Sequence, residues 1–280
     1  SLNRRVFLAI DNYLNGLIRA FDSRSSVHLC LDGPGPVCKI PTQSRSRNRV
    51  NDRWSNLLQV TTGTRFMSDY HTYVRKVYGS SVLRRFDHLK RVHFSSSNMP
   101  GEGECKIFKS IAQLNKHGPE HQKFIVCSVD ADLILYAVAA LEANVDILLL
   151  KESNHYVHVN TSKLIEHYIQ PIHEDVSATR KDFVLLSLLN GSDYVPKFGS
   201  ETPLSTWMEY TRIRTESNSK FSDRSIISWN SNSNCFEIDV DFLLACMPMR
   251  KIDARQVTST KELEHTVINF FQLVLWNFQM

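Results

Sequence analysis

What this 280-residue sequence lacks narrows its chemistry before any motif is weighed. Its six cysteines, at 30, 38, 105, 127, 235 and 246, form no Cys-x-x-Cys pair, which argues against a zinc knuckle. Cys30 and Cys127 fall inside apolar runs that read as buried strands. Reduced thiols in an intracellular protein, cytoplasmic by expectation with the nucleus as the alternative, are the simplest account. No apolar run reaches membrane-spanning length, because Glu142 and Asp146 break the longest one. The opening SLNRRVFLAI lacks the shape of a signal peptide. There is no internal repeat, and a net charge of +4 by itself selects no partner. The composition is that of a globular protein, long enough for one large domain or two small ones.

The distribution of charge says more than its sum. Between Lys39 and Arg53 the chain carries Lys39, Arg45, Arg47, Arg49 and Arg53 against a single Asp52. Such a segment either faces an anion or is a solvated loop.

Periodicity organises the rest. Val6 to Phe21 has a helical stripe of Phe7, Ile10, Leu14, Leu17 and Phe21. Strands are expected at Val27–Leu31, Arg91–Phe94, Phe124–Val129, Val145–Leu150 and, as an edge, His155–Val159. Helices are expected at Asn48–Val60, Arg65–Tyr78, Glu104–Leu114, from Ser162 to Tyr168, and at Lys181–Leu189. Thr61-Thr62-Gly63-Thr64 and His117-Gly118-Pro119 are breaks. Strands alternating with helices predict an α/β fold with a largely parallel central sheet flanked by helices. After Pro203 the pattern weakens. Ser217 to Ser233 reads as an exposed polar loop, and Phe236–Cys246 and Glu262–Phe278 as a further strand and helix. Residues 1–200 are expected to form a core and 201–280 an α/β extension packed on it.

Two acidic doublets stand in this frame: Glu102 and Glu104 in PGEGECKIF, and Asp130 and Asp132 in FIVCSVDADLILY. Asp193 follows in LLNGSDYVP, and Asp32 in HLCLDGPGP. Sites in such sheets form at the carboxyl ends of strands, where Asp32 and Asp130 both fall. Each acid has an ordinary reading. Glu102 and Glu104 would complement a helix dipole, Asp32-Gly33 would be a turn, and Asp193 a turn or helix stop. Asp130 and Asp132 are harder to dismiss, since two unpaired acids beside VCSV and LILY are costly to bury. Two apart in extended chain, they point the same way. Taken together, the four segments suit a hard divalent cation, which wants several carboxylate oxygens.

These residues resemble the Xrn-type 5′→3′ exoribonucleases. PGEGECKIF is similar to the family's Pro-Gly-Glu-Gly-Glu-His-Lys-Ile, and SVDADLILY to Gly-Leu-Asp-Ala-Asp-Leu-Ile. FVLLSLLNGSDYVP resembles the apolar helix ending in Gly-Asn-Asp-Phe-Leu-Pro. LCLDGPGPVCKIPTQSRSR and TTGTRFM resemble two further family segments, and all five occur in family order. The resemblance implies a PIN/FEN-like nuclease core in which Asp32, Glu102, Glu104, Asp130, Asp132 and Asp193 bind two magnesium or manganese ions. It puts Lys39, Gln43 and Arg47 in register with a pocket for the 5′-monophosphate of single-stranded RNA, with Arg45 and Arg49 as further basic contacts. The sequence departs from the family at Cys105, Ser192 and Ser46, which replace a histidine, an asparagine and an arginine.

The family's first acid has no counterpart. Asp11 is set aside because NYLNGLIRAFDSRSSVHLCLD runs along the family's helix and strand, making Asp11 a polar-face residue. The missing acid is expected upstream of Ser1. Trp54, Phe66, Tyr70 and Tyr73 are candidates for base stacking, with Phe66 and Tyr73 assigned to the core. His71, His88 and His93 read as structural or surface residues. The rival readings are a flap-endonuclease-like DNA nuclease and an inactive RNA-binding or scaffold module. Against the first, no helix-hairpin-helix spacing occurs after Gly191.

Overall fold

The structure is a computed structural model. It describes residues 2–20, 26–35, 60–78, 89, 91–118, 122–140, 143–151, 155–191 and 202–247. The chain divides into two compact units, Ser1–Ser110 and Ile111–Met280.

In the first unit, α1 spans Leu2–Ala20, β1 Ser26–Cys30, α2 Arg65–Tyr78 and β2 Arg91–Ser95, and α3 begins at Gly103. β1 and β2 pair in parallel, Val27 opposite Val92 and Leu29 opposite Phe94. Alternation puts Val27, Leu29, Val92 and Phe94 on one face, where they join Phe7, Ile18, Tyr70, Val74 and Tyr78 of the helices. Burying each large apolar side chain contributes about 1.5–3 kcal/mol. On the other face the His28 and His93 rings stack 4.3 Å apart. α2 follows the Thr61–Thr64 turn, where Gly63 has a φ of 84° that few other residues tolerate. Its buried residues Met67, Tyr70, Val74 and Tyr78 form one stripe.

Two expectations in this unit are corrected. Asp11 is only 6% exposed and accepts a hydrogen bond from the Tyr78 hydroxyl, so it lies on the buried face of α1. Burial, reinforced by Asp11, holds the Tyr78 phenol far above its ordinary range. Tyr70 is also core: it packs on Phe7 at 5.2 Å, and burial pushes its phenol up to about 12.

In the second unit β3 spans Lys123–Ser128, α4 Leu133–Ala139, β4 Asn144–Leu150, β5 Tyr156–Asn160 and α5 Thr161–Tyr168. A 3₁₀ turn at Gln170–Ile172 leads to α6, Val176–Leu188. Beyond it come α7 at Pro203–Thr215, the hairpin β6 Ile227–Asn230 and β7 Cys235–Ile238, and α8 at Val240–Cys246. β4 pairs in parallel with β3 and antiparallel with β5, and β6 pairs antiparallel with β7. The α/β class holds. The single, largely parallel central sheet is not seen: among the described residues β1–β2 and β3–β4 pair in parallel, but the strands fall into sheets of two, three and two.

The stretch read as an exposed loop at Ser217–Ser233 contains β6 and the buried Phe221, Ile226 and Ile227. These join Leu185, Leu186, Leu189, Tyr210, Ile213, Phe242 and Leu243 in one core. Isolated apolar residues among serines and asparagines carry no periodicity, so this burial was invisible in the pattern. The stretch expected as a strand at Phe236–Cys246 is half strand and half helix, because Asp239 caps α8 by accepting from the Phe242 amide at 3.1 Å. α4 and α7 were not anticipated. α7 opens with a Thr202–Ser205 capping box and Pro203 in its first turn. The expected helices at Asn48–Val60 and Glu262–Phe278 lie outside the described residues, Val60 excepted.

Two buried carboxylates in this unit are paired across elements. Asp182 on α6 is fully buried; its Oδ2 accepts from the Tyr210 hydroxyl at 2.8 Å and its Oδ1 from the Ile227 amide at 2.9 Å. Burial pushes its carboxyl up to about 6, against the pull of these donors and of Arg214. Arg214 donates to the Ser222 carbonyl at 2.7 Å. On β4, Asp146 is 1% exposed and its Oδ2 bridges Lys123 at 2.7 Å and His158 at 2.8 Å across the three-stranded sheet. Burial alone would raise the Asp146 carboxyl, but hydrogen bonds from Lys123 and His158 outweigh it and hold it below its ordinary value.

Candidate active site

The sequence-predicted acids fall in both units. In the first, Asp32 follows β1 by two residues, while Glu102 and Glu104 flank Gly103 at the start of α3, Gly103–His117. The Asp32 Oδ1 accepts from the Gly103 amide at 2.7 Å. That bond brings the first acid against the backbone between the two glutamates. It also satisfies one of the free amides at a helix start.

The loops around this bond are fastened by backbone. The Leu31 amide donates to Ser95 O at 2.9 Å, carrying the β1–β2 ladder past its end. Gly33 N donates to Gly101 O at 2.9 Å, and Gly101 N to Pro34 O at 3.0 Å. Gly33 cannot be replaced cheaply, because a Cβ there would lie 1.7 Å from the Met99 carbonyl oxygen. At Gly103 a Cβ would come 3.0 Å from Cys30 O and 3.1 Å from Asp32 Oδ1, so glycine leaves the carboxylate its place. Glu102 is buried at 7% exposure, Glu104 is half-buried and Asp32 is exposed. An exposed acid beside a buried one suits a site open to solvent on one side.

Lys106, a residue without a sequence-predicted role, joins the two strand ends. It lies one turn beyond Glu102, its amide donating to Glu102 O at 3.1 Å. Its Nζ donates to Leu31 O at 2.8 Å and Ser96 O at 2.9 Å. Burial lowers the proton affinity of this amine, while neighbouring Cys30 and Asp32 pull the other way. Burial likewise pushes the Cys30 thiol up, opposed by Lys106. The place of Lys106 four residues after Glu102, in the first turn of α3, is the signal the sequence offers.

In the second unit Asp130 lies just past β3, and Asp132 is the N-cap of α4. The Asp130 Oδ1 accepts from the Asp132 amide at 3.0 Å, and the Asp130 amide donates to the Ser128 hydroxyl at 3.2 Å. The pair therefore forms a turn, and Asp132 has helical torsions (φ −62°, ψ −22°), so the expected extended geometry does not apply. Neither acid is buried: Asp130 is half-buried and Asp132 exposed, so burial cost is not what marks them. The far end of α4 is fixed by Arg180, whose guanidinium donates to Val138 O at 2.7 Å and Ala140 O at 3.1 Å.

Asp193 and the basic segment with Lys39, Gln43, Arg45, Arg47 and Arg49 lie outside the described residues, as does Trp54. By donor type Asp32, Glu102 and Glu104 fit a hard divalent cation, since all offer carboxylate oxygens and glycine keeps space at the Asp32 oxygen. Among the described residues no three histidine, cysteine, aspartate or glutamate side chains gather closely enough to hold one. Cys30, Cys105, Cys127, Cys235 and Cys246 form no disulfide, and no described helix is long and apolar enough to cross a membrane.

Residues 49–152 match the family model for the Xrn 5′-3′ exonuclease N-terminus, a stretch that includes both acidic doublets. Over that stretch the chain is similar to an Xrn-type N-terminal nuclease region. It is 23% identical over 240 residues to the human protein named 5′-3′ exoribonuclease 1, in a match covering 69% of this chain and 14% of that protein. The protein of the same name from Schizosaccharomyces pombe is also 23% identical over 240 residues, covering 68% of this chain and 18% of the relative. This chain thus spans less than a fifth of those Xrn relatives. Asp32 and the basic segment from Lys39 to Arg47 precede the residues matched by the Xrn model.

Proposed function

We propose that this chain is the nuclease region of a metal-dependent 5′→3′ exoribonuclease acting on 5′-monophosphorylated single-stranded RNA. The observation that carries the reading is the Asp32–Gly103 hydrogen bond, which ties an acid from a strand end to the backbone residue that separates Glu102 and Glu104 in the stretch matching the Xrn model. Asp32, Glu102, Glu104, Asp130, Asp132 and Asp193 are the proposed ligands of magnesium or manganese. Such ions, when bound, supply an activated water and charge stabilisation for the leaving 3′-oxygen.

The remaining roles belong to the chain itself. The Gly103 amide and the glycines at 33 and 101 orient the Asp32 carboxylate. The Asp130–Asp132 turn, with α4 anchored by Arg180, presents the second doublet to solvent. Lys39, Gln43 and Arg47, with Arg45 and Arg49 beside them, clamp the terminal phosphate through charge-assisted hydrogen bonds. Recognition of a terminal monophosphate makes the enzyme begin at an end and release mononucleotides.

The test is digestion of one RNA bearing a 5′-monophosphate, a 5′-hydroxyl or a cap, with and without magnesium, beside a flapped DNA. Mononucleotides from the monophosphate RNA alone, and only with magnesium, are expected. Preferred cutting of the flap would replace this reading with a DNA nuclease. Binding of RNA without cleavage, magnesium present, would replace it with a binding module.

A further inference from the structure

We propose that Lys106 is a positioning residue for the acidic site: its buried ammonium ties the carboxyl ends of β1 and β2 together and so holds Asp32 against the amide of Gly103, the residue that separates Glu102 and Glu104. The inference rests on the reading of Asp32, Glu102 and Glu104 as metal ligands.

Three observations converge. Lys106 is only 9% exposed, and lysine is almost never buried without partners. Its partners are the carbonyls of Leu31, immediately before Asp32, and of Ser96, immediately after β2, at 2.8 and 2.9 Å. Both carbonyls lie where the parallel ladder ends, and a carbonyl buried there without a donor costs about 1–3 kcal/mol. The packing is close: a Cβ on Gly33 would stand 3.0 Å from the Lys106 Nζ, and one on Gly101 would stand 4.0 Å from its Cε. One side chain therefore touches the end of each strand and both glycine loops that frame Asp32. Because the Lys106 amide also donates to Glu102 O across the first turn of α3, the same cross-link fixes the helix start relative to the strand ends.

Methionine at 106 keeps the length of the stem and removes the donors. Outer-sphere groups of this kind typically change metal affinity by about 10–100-fold. In the full chain, titration with manganese alone, followed by the electron paramagnetic resonance of the free ion, should show Lys106→Met binding at least about tenfold more weakly than wild type. Lys109→Met, an exposed neighbour on the same helix, should bind like wild type. Amide exchange supplies the second readout: Gly33 and Gly103 should exchange about tenfold faster in Lys106→Met, with Val74 in α2 unchanged.

A general loss of stability would instead speed exchange at all three amides and leave the affinity of the folded protein alone. Manganese affinity within twofold of wild type overturns the proposal. If Lys106→Met does not fold, Lys106→Gln takes its place. Its shorter, planar amide serves at most one of the two carbonyls, so weakening of about threefold or more is expected, and wild-type affinity again overturns the proposal. If wild type binds no manganese, the nuclease reading fails on its own. The exchange rates of Gly33 and Gly103 then decide the role of Lys106: acceleration sustains it and unchanged rates overturn it.

Discussion

The carboxylate of Asp32 accepts a hydrogen bond from the amide of Gly103, 71 residues further along the chain, at 2.7 Å. An acid that the sequence offers as half of an Asp-Gly turn is thereby tied to the helix start that carries Glu102 and Glu104. The bond also explains why the intervening residue is glycine, since a side chain would press on both Asp32 and the Cys30 carbonyl.

Gly103→Ala and Gly33→Ala should therefore part company. At Gly103 the clash distances of 3.0 and 3.1 Å ask for a shift of a few tenths of an ångström. Stability should stay within about 1 kcal/mol, because alanine favours the helix, while RNA cleavage falls about tenfold through misplacement of Asp32. At Gly33 the added carbon would overlap backbone, and urea unfolding should register a loss of about 2 kcal/mol or more. Equal effects of the two substitutions on activity and stability would contradict this account.

Asp130→Ala and Asp132→Ala should both abolish cleavage. Their structural costs are small, for neither acid is buried and Asp132 makes no side-chain cap bond to α4. Asp130→Ala forfeits the bond to the Asp132 amide and should cost about 1 kcal/mol, Asp132→Ala about 0.5 kcal/mol or less. Circular dichroism melts beside single-turnover digestion would check both. Full activity in either variant would remove that acid from the site.

Asp182 predicts a stability that falls as pH rises. Its carboxyl moves from 3.8 to about 6 because burial penalises the charge. Below pH 4 folded and unfolded chains are both protonated at this group, and no penalty arises. Between pH 4 and 6 the unfolded chain ionises first, so this contribution to stability is lost as pH climbs through the folded value. Asp182→Asn keeps an acceptor for the Ile227 amide and should lose that slope. Urea midpoints at pH 4.5 and 7 in both proteins would measure it, and an unchanged difference between the two would refute the assignment.

Asp146 should act with the opposite sign. Lys123 and His158 outweigh its burial and hold its carboxyl below 3.8. Its contribution is present above pH 4 and fades as pH falls through the lowered value. Asp146→Asn should cost about 1–2 kcal/mol at pH 7 and progressively less below pH 4, since Lys123 and His158 are half exposed and water can serve them. A cost independent of pH would mean that packing, not charge, is what the substitution removes.

Much of the secondary structure was legible because periodicity is local. The helix expected at Arg65–Tyr78 has those bounds, and the strands near residues 27, 92, 125 and 147 differ by one or two residues. α4 escaped because LILYAVA is too short and uniformly apolar to show a helical stripe. The β6–β7 hairpin escaped because its buried residues are scattered among serines and asparagines. Asp11 was misassigned for a related reason: a helix stripe distinguishes polar from apolar, and a buried aspartate satisfied by a tyrosine 67 residues away looks polar in the sequence.

Legible in the amino-acid string were the class of most elements, the order of the acidic motifs and the match of residues 49–152 to the Xrn family model. These depend on residue type and spacing along the chain, which folding does not change. Only the folded arrangement shows that Asp32 meets Gly103, that Lys106 closes the ends of β1 and β2, and that the Asp182 and Asp146 carboxyls are shifted in opposite directions. Each outcome depends on desolvation and on partners distant in sequence. Burial and a hydrogen bond are properties of positions in space, and a residue's letter carries neither.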